Sequence, residues 1–399
     1  MDRRTFVLGG VGGLIPFVAF GQRGKAAGLD DKVIRIGQTM PYSGPASAWS
    51  TAGRMSVAYL EMINQNGGIN GRKLELLSLD DAFSPPKTVE QTRKLVEQDE
   101  VLFIFGTGGA APNAAIQKYL NGKKVPHLLI MTGANRFNDP ANFPWTMPWT
   151  PTYRLESSIY AKHVLEAKPN GKVAILYQND DLGRDFLNGF RDGLGARADS
   201  MIVSALSYNL TDPTIDSQLS TLKASGADVF LNAGTPKFTA LAIRKAAEIG
   251  WRPLQIIVGV SSGISTVLEP AGLENATGVL TAVFYKDSND KRWSGDIAVT
   301  QYLDFLKTCY PSANVNDGSN AFVYSAVQLL VDILKLCGDD LTRPNIMKVA
   351  TSLRGVKLPM LLPGIEIETD ENNFSPIRQM QLSRFDGQSW QLVGDLLRG

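Results

Sequence analysis

Short apolar strands alternate with amphipathic helices through residues 33–131, and the alternation begins afresh near residue 172. That double run constrains the fold more than any other feature. Val33 to Thr39 reads as a strand. The helix after it spans about Ala52 to Asn64, with Met55, Ala58, Tyr59 and Met62 at spacings of three and four. Strands over 74–79, 102–105 and 125–131 follow, separated by a helix over 88–98 and a Gly-rich turn into another. The second run places strands over 172–177, 200–206, 229–232 and 255–258, with helices over 182–194, 215–224 and 238–249. Strands of this kind, each followed by a helix, pack as a parallel sheet covered on both faces. The chain has 399 residues, more than the roughly 250–300 one core usually holds. Two α/β halves are therefore predicted, the second starting after the Pro- and Trp-rich run at 143–151. A third block carries helices over 293–308, 320–336 and 343–352. Short strands over 364–369, 378–385 and 390–393 end the chain, and either half could receive them.

Residues 1–21 stand apart. Arg3 and Arg4 precede an apolar stretch from Phe6 to Phe20 that contains Pro16 and is too short to span a bilayer. The Arg3-Arg4-Thr5-Phe6-Val7-Leu8 order resembles a twin-arginine export signal, with Ala19 and Gly21 as small residues before a cut. The expectation is a soluble protein beyond the cytoplasmic membrane. Lys and Arg number 40 and Asp and Glu 39. Without a basic block, a phosphate-backbone footprint has no support, so no nucleic-acid partner is expected.

Two His and two Cys are thin material for a zinc site or a histidine catalyst. Gly259-Val-Ser261-Ser-Gly263 matches the nucleophile-elbow pattern, but His127 and His163 both precede it, against the order of that hydrolase class. A serine hydrolase using Ser261 is thus a remote alternative. Gly106-Thr-Gly-Gly-Ala-Ala111 lacks the last glycine of a dinucleotide loop and follows the third strand rather than the first. Asp80-Asp81 has no third ligand spaced nearby. No enzyme, cofactor or metal is predicted.

A recognition site is better supported. At Gly106–Ala111 a strand delivers the chain to glycines and then to a helix start with Pro112 near its first position. The orphan N–H groups there favour a negative group. Thr132-Gly-Ala134-Asn135 is a second polar loop after a strand. In parallel sheets such loops share the carboxyl edge, where ligands sit. Tyr42, Trp49, Trp149 and Tyr153 bring aromatic walls to that edge, and Thr235, Ser261 and Ser262 would face it from the second half. Two halves around such a cleft describe a binding device that closes by hinge motion.

The ordered markers carry a family resemblance. They are Met40-Pro-Tyr-Ser-Gly-Pro45, Trp49, Asn66-Gly-Gly-Ile-Asn-Gly-Arg72-Lys73, Asp80-Asp81, Pro86-Lys87, Gly106, Asn179-Asp-Asp-Leu-Gly183 and Ala246-Ala-Glu-Ile-Gly250. Over about residues 31–399 the chain resembles the periplasmic leucine/isoleucine/valine-binding proteins and their type I solute-binding family. The resemblance implies two doubly wound α/β lobes joined by a hinge. It places an export signal and flexible start at 1–28, lobe 1 at 29–149 with 282–356 returning to it, and lobe 2 at 150–281 with 357–399 returning to it. It also implies an extracytoplasmic receptor of an ATP-driven importer, monomeric, delivering a small molecule to membrane permease subunits without chemistry of its own. A ligand-sensing regulatory domain is the alternative of another class.

By the same resemblance, Gly108, Gly109, Ala110, Ala111, Thr132, Ala134 and Asn135 stand in the loops that hold an amino acid's carboxylate, with Ala110 replacing a common Ser. Trp49 stands where the family has an aromatic. The positions that supply a Tyr and an acid for the ammonium fall near Gly234 and Ser261, and neither can neutralise it. A buried ammonium without such a partner is costly. The expected ligand is therefore a hydrophobic or aromatic carboxylate without an α-amino group. Hydrophobic amino acids are the runner-up, with Asp180 or Asp181 as replacement anchors. Cys309 and Cys337, near the ends of consecutive helices, are a possible disulfide outside the cytoplasm.

Overall fold

The structure, a computed structural model, describes residues 28–30 and 32–398. Arg3, Arg4 and the export signal lie outside the described residues. Two separate sheets form. The first joins β1 (Val33–Met40), β2 (Lys73–Asp80), β3 (Phe103–Phe105), β4 (His127–Ile130) and β5 (Thr146–Pro148) in the order β2-β1-β3-β4-β5, all parallel. The second joins β6 (Val173–Gln178), β7 (Ile202–Tyr208), β8 (Val229–Ala233), β9 (Leu254–Ile257), β10 (Leu280–Val283), β11 (Gln379–Phe385) and β12 (Trp390–Arg398). Its order is β12-β11-β10-β9-β8-β6-β7, parallel except at β11 and β12. In each sheet the first strand of the run lies inside, β1 between β2 and β3 and β6 between β7 and β8, so the strand order reverses there and both lobes are doubly wound.

Helices follow local chemistry. The helix α1 (Ser50–Gln65) buries Met55, Tyr59 and Leu60 on one face and stops at Gly67 and Gly68, both at positive φ. Pro85 and Pro86 open α2 (Pro85–Glu97). The helix α3 (Ala110–Gly122) follows β3, and α4 (Tyr153–Ala167) crosses to the second lobe, where it packs on α5 (Asp181–Leu194). Thr152 and Asp180 cap α4 and α5 through their side chains. Helices Ile297–Cys309 and Ser319–Leu336 return to pack on α1. Two of the connecting segments also pair with each other: Lys286 N–H donates to Met360 O, and Leu362 N–H to Phe284 O. Among the described residues no helix is long and apolar enough to cross a membrane.

Three local expectations differ from the structure. The strand expected at 364–369 is an extended segment holding only isolated bridges, such as Val356 with Ile367. β5 and β10 were not foreseen. β5 sits inside the Pro-rich run because an edge strand tolerates proline, and β10 leads into an extended segment rather than a helix, so the alternation of strand and helix does not mark it. Cys309 and Cys337 are free thiols, not a disulfide. Helices 297–309 and 319–336 form an aromatic-packed pair in which Phe305 and Tyr302 both touch Tyr324. Cys309 follows Phe305 by one turn, whereas Cys337 lies thirteen residues beyond Tyr324, about 20 Å further along the helix. A disulfide needs Cα atoms within about 7 Å.

His127 is wholly buried in β4, and neither ring nitrogen has a hydrogen-bond partner. Burial pushes its pKa down to about 3, from about 6.5 in an unfolded chain. The unfolded state therefore takes up a proton that the folded state refuses. Stability is full above about pH 6.5 and falls by about 1.4 kcal/mol per unit between there and pH 3. Urea unfolding of the wild type and His127→Leu across pH 4–8 is expected to show that added slope in the wild type alone.

Candidate ligand-binding site

The carboxyl ends of both sheets face one cleft. It is partly open to solvent. From the first lobe come Met40 at the end of β1, Trp49 at the start of α1, Phe83, the turn Gly108–Ala110 and Met131. From the second come Gln178, Asp180, Thr235, Gly259, Ser262 and Met380. Tyr153 and Glu156 on α4 and Phe284 and Tyr285 after β10 line it between the lobes, with Phe322. Its wall is aromatic and thioether-rich, and among the described residues it holds no Lys, Arg or His.

Of the residues singled out from sequence, the cavity gathers Trp49, Gly108, Gly109, Ala110, Tyr153, Asp180, Thr235 and Ser262. Eight others lie elsewhere. Tyr42 turns its hydroxyl to Ser78 Oγ at 2.6 Å, with its ring against Gly53. Ala111, on the first turn of α3, is not part of the cavity wall. Thr132 sits behind Tyr153 and shares a hydrogen bond with its hydroxyl at 3.1 Å. Ala134 is buried beneath the same loop. Asn135 crosses to the other lobe, its N–H donating to Asp185 Oδ2 at 2.7 Å, beside an Arg136–Asp181 ion pair. Asp181 is thereby engaged away from the cavity. Ser261 is fully buried and donates to Gly234 O at 2.6 Å. Its segment is a short 3-10 turn rather than a strand-to-helix elbow. Trp149 packs against Phe284 and Phe322 behind the wall.

Sequence reasoning missed Phe83, Glu156, Phe284, Tyr285 and Phe322. Phe83 occupies a left-handed backbone position, φ 58°, next to Ala82 at φ 51°. That strain is held by the two aspartates earlier considered for a metal. Asp81 accepts the Phe83 N–H at 2.9 Å and the Thr88 hydroxyl, and Asp80 accepts from Ala82, Ser43 and Lys87. Among the described residues no cluster of His, Cys, Asp or Glu is arranged to hold a metal. The Phe83 ring then reaches Trp49, with centroids 5.5 Å apart, and lies against Gly109.

Gly109 caps α3 at φ 85°, and its N–H donates to Met131 O. Ala110 and Ala111 begin the helix, so their amides lack intrahelical partners. They supply the first lobe's N–H donors near the cavity.

The second lobe supplies two carboxyls to the wall, Asp180, read from sequence as a replacement anchor, and Glu156. Asp180 caps α5, accepting from Leu182 and Gly183 amides on Oδ1 and from Gln178 Nε2 on Oδ2. Burial pushes its pKa up against those donors. Gln178 Oε1 accepts from Tyr208, whose hydroxyl also accepts the Thr235 N–H. Glu156 is 4% exposed. Its Oε1 accepts from Tyr160 Oη at 2.6 Å and from the Gly259 N–H at 2.7 Å. Burial raises its pKa to about 7, against those two hydrogen bonds. Position counting could not find Glu156, because it arrives from a helix side rather than a strand-end loop.

A profile of the family described as periplasmic binding protein matches residues 33–389. The chain belongs to the periplasmic binding protein family. A Leu/Ile/Val-binding protein homolog 7 of Brucella suis biovar 1 (strain 1330) is 24% identical over 372 residues, 90% of this chain and 89% of the relative. Two solved structures share the fold. A branched chain amino acid ABC transporter from Thermus thermophilus with bound valine gives a TM-score of 0.82 at 14% identity, covering 93% of this binding protein and 98% of that chain. A fatty acid ABC transporter substrate-binding protein from Thermomonospora curvata gives 0.79 at 18%, covering 94% and 95%.

A Cβ at Gly109 would lie 2.2 Å from the Phe83 ring and would occupy a left-handed position. Gly109→Ala is expected to lower stability by about 1–3 kcal/mol, measured by urea unfolding. It should also shift Trp49 fluorescence, because Phe83 must leave the Trp49 edge.

Proposed function

We propose that this chain is the extracytoplasmic solute-binding receptor of an ATP-driven importer. It is exported through a twin-arginine signal, works as a soluble monomer in the periplasm, and hands its ligand to membrane permease subunits. The ligand is a small hydrophobic or aromatic carboxylate held between the lobes. One observation carries this reading: an aromatic, cation-free cavity at the facing strand ends, with the first turn of α3 opening on it. Backbone N–H groups can hold a carboxylate without a basic side chain. The apolar body of such a ligand would lie against Trp49, Phe83 and Phe284. A relative described as fatty-acid-binding on the same fold is in keeping with this chemistry.

A hydrophobic amino acid is the second reading. The carboxyls of Glu156 and Asp180 in the wall favour it, since an ammonium could pair with them. The Leu/Ile/Val-binding relatives and the valine-bound neighbour point the same way.

Thermal unfolding of the purified protein with benzoate, phenylacetate, hexanoate, leucine and valine separates the readings. Ligand at one hundred times its dissociation constant adds about 2.7 kcal/mol, a midpoint rise of several degrees. The acids are expected to give it. Stabilisation by leucine or valine alone overturns the carboxylate class. Trp49→Ala is expected to weaken binding about tenfold, for loss of one aromatic wall, with the unfolding midpoint of the free protein little changed.

A further inference from the structure

Glu156 is buried in a cavity wall that, among the described residues, offers no cationic side chain. Its two oxygens are not equivalent. Both donors, Tyr160 Oη and the Gly259 N–H, converge on Oε1. Oε2 takes no hydrogen bond from the protein, and it is absent from the atoms sealed away without a partner. It therefore opens on the cavity that Glu156 lines. In a carboxylic acid the carbonyl oxygen is the better acceptor and the other oxygen carries the proton. Two donors on Oε1 mark it as the carbonyl-like oxygen and leave Oε2 as the hydroxyl.

We propose that Glu156 is a specificity-determining residue that binds in its neutral form, donating the Oε2 proton to an oxygen of an acidic ligand. The inference rests on the receptor reading above and deepens it by naming how the second lobe recognises a carboxylate. A ligand carboxylate beside an ionised Glu156 would place two negative charges in an apolar cavity. A shared proton turns that repulsion into a short, charge-assisted hydrogen bond. When Glu156 is ionised in the free protein, binding takes one proton from solvent and puts it on Oε2.

The surroundings agree. Facing Glu156 are Tyr160 and Tyr153 from its own helix, the Gly259 amide, Thr281 and Ala282 of β10 through the Tyr160 hydroxyl, and Tyr285 beyond β10. Burial raises all three tyrosines above their ordinary range, so they stay neutral. Asp180 is the other carboxyl in the wall, and three N–H donors already occupy it. The pKa of about 7 that burial gives Glu156 places its proton within reach at neutral pH.

The test is benzoate binding by calorimetry from pH 5.5 to 8.5, in buffers of different ionisation enthalpy, with wild type and Glu156→Gln. The glutamine carbonyl takes the two donors at the Oε1 position, which sets its NH2 at the Oε2 position as a permanent donor. In the wild type, affinity is expected to be flat below about pH 7 and to fall about tenfold per unit above it, with one proton taken up per benzoate bound. Glu156→Gln is expected to keep affinity within about threefold of the wild type at pH 6 and to lose the pH dependence. Wild-type proton uptake decides the matter even if the variant does not fold. Benzoate binding that is flat with pH and releases or takes up no proton overturns the inference and leaves the receptor reading intact. Leucine binding that tightens as pH rises, and is lost in Glu156→Gln, overturns it by making Glu156 an ammonium anchor. Binding of neither acids nor amino acids overturns the receptor reading, and the inference with it.

Discussion

Parallel strands deliver all their outgoing loops to one edge, and this protein sets two such edges face to face. Everything at the cleft follows from that constraint. β1 and β2 end in register at Met40 and Asp80, so the loops that carry Trp49 and Phe83 leave from neighbouring points. β3 feeds Gly108–Ala110, and β4 feeds the loop that reaches Asp185 of the other lobe. In the second sheet, β6, β8 and β9 feed Asp180, Thr235 and Gly259. Crossovers that must be right-handed and must cover both faces leave no other edge for these turns.

The polar groups of the cavity are arranged unequally between the lobes. The first lobe offers helix-start amides and aromatic faces. The second offers two carboxyls with their supporting network, Asp180 through Gln178, Tyr208 and Thr235, and Glu156 through Tyr160. Tyr160 ties three elements at one point: its hydroxyl donates to Glu156 on α4, accepts the Ala282 N–H of β10, and lies 3.2 Å from Ile257 O of β9. A buried carboxyl so anchored has a fixed direction, and in a low-dielectric wall small differences in its partners decide its charge. That network makes the cavity a discriminating one, although most of its surface is apolar.

How far the site was legible depended on what each residue needed in order to reach it. Gly108, Gly109 and Ala110 follow a strand and open a helix, so local pattern alone placed them at the edge. Trp49 and Tyr153 were legible for the same reason. Thr132 and Ser261 share that placement but spend their hydroxyls on Tyr153 and Gly234, and no local pattern reports which way a hydroxyl turns. Phe83 enters only because Asp81 holds it in a left-handed conformation that ordinary propensity disfavours. Glu156 enters from the side of a helix whose angle to the sheet is set by packing on α5. The disulfide expectation failed in the same manner. Two helix ends adjacent in sequence order are a helix length apart once the pair is antiparallel.

The sequence by itself determined the class of the fold. Its two runs of strand and helix, its turn glycines and its cap residues act over a few neighbours, and short-range chemistry of that kind is written in the order of residues. Tertiary structure decided the chemistry of the cleft. Whether a carboxyl stands in the wall, which of its oxygens is bare, and whether water or a protein donor answers it depend on elements more than a hundred residues apart, as Glu156 and Gly259 are. Charge in a buried site is set by everything that surrounds it, and only the folded chain assembles those surroundings.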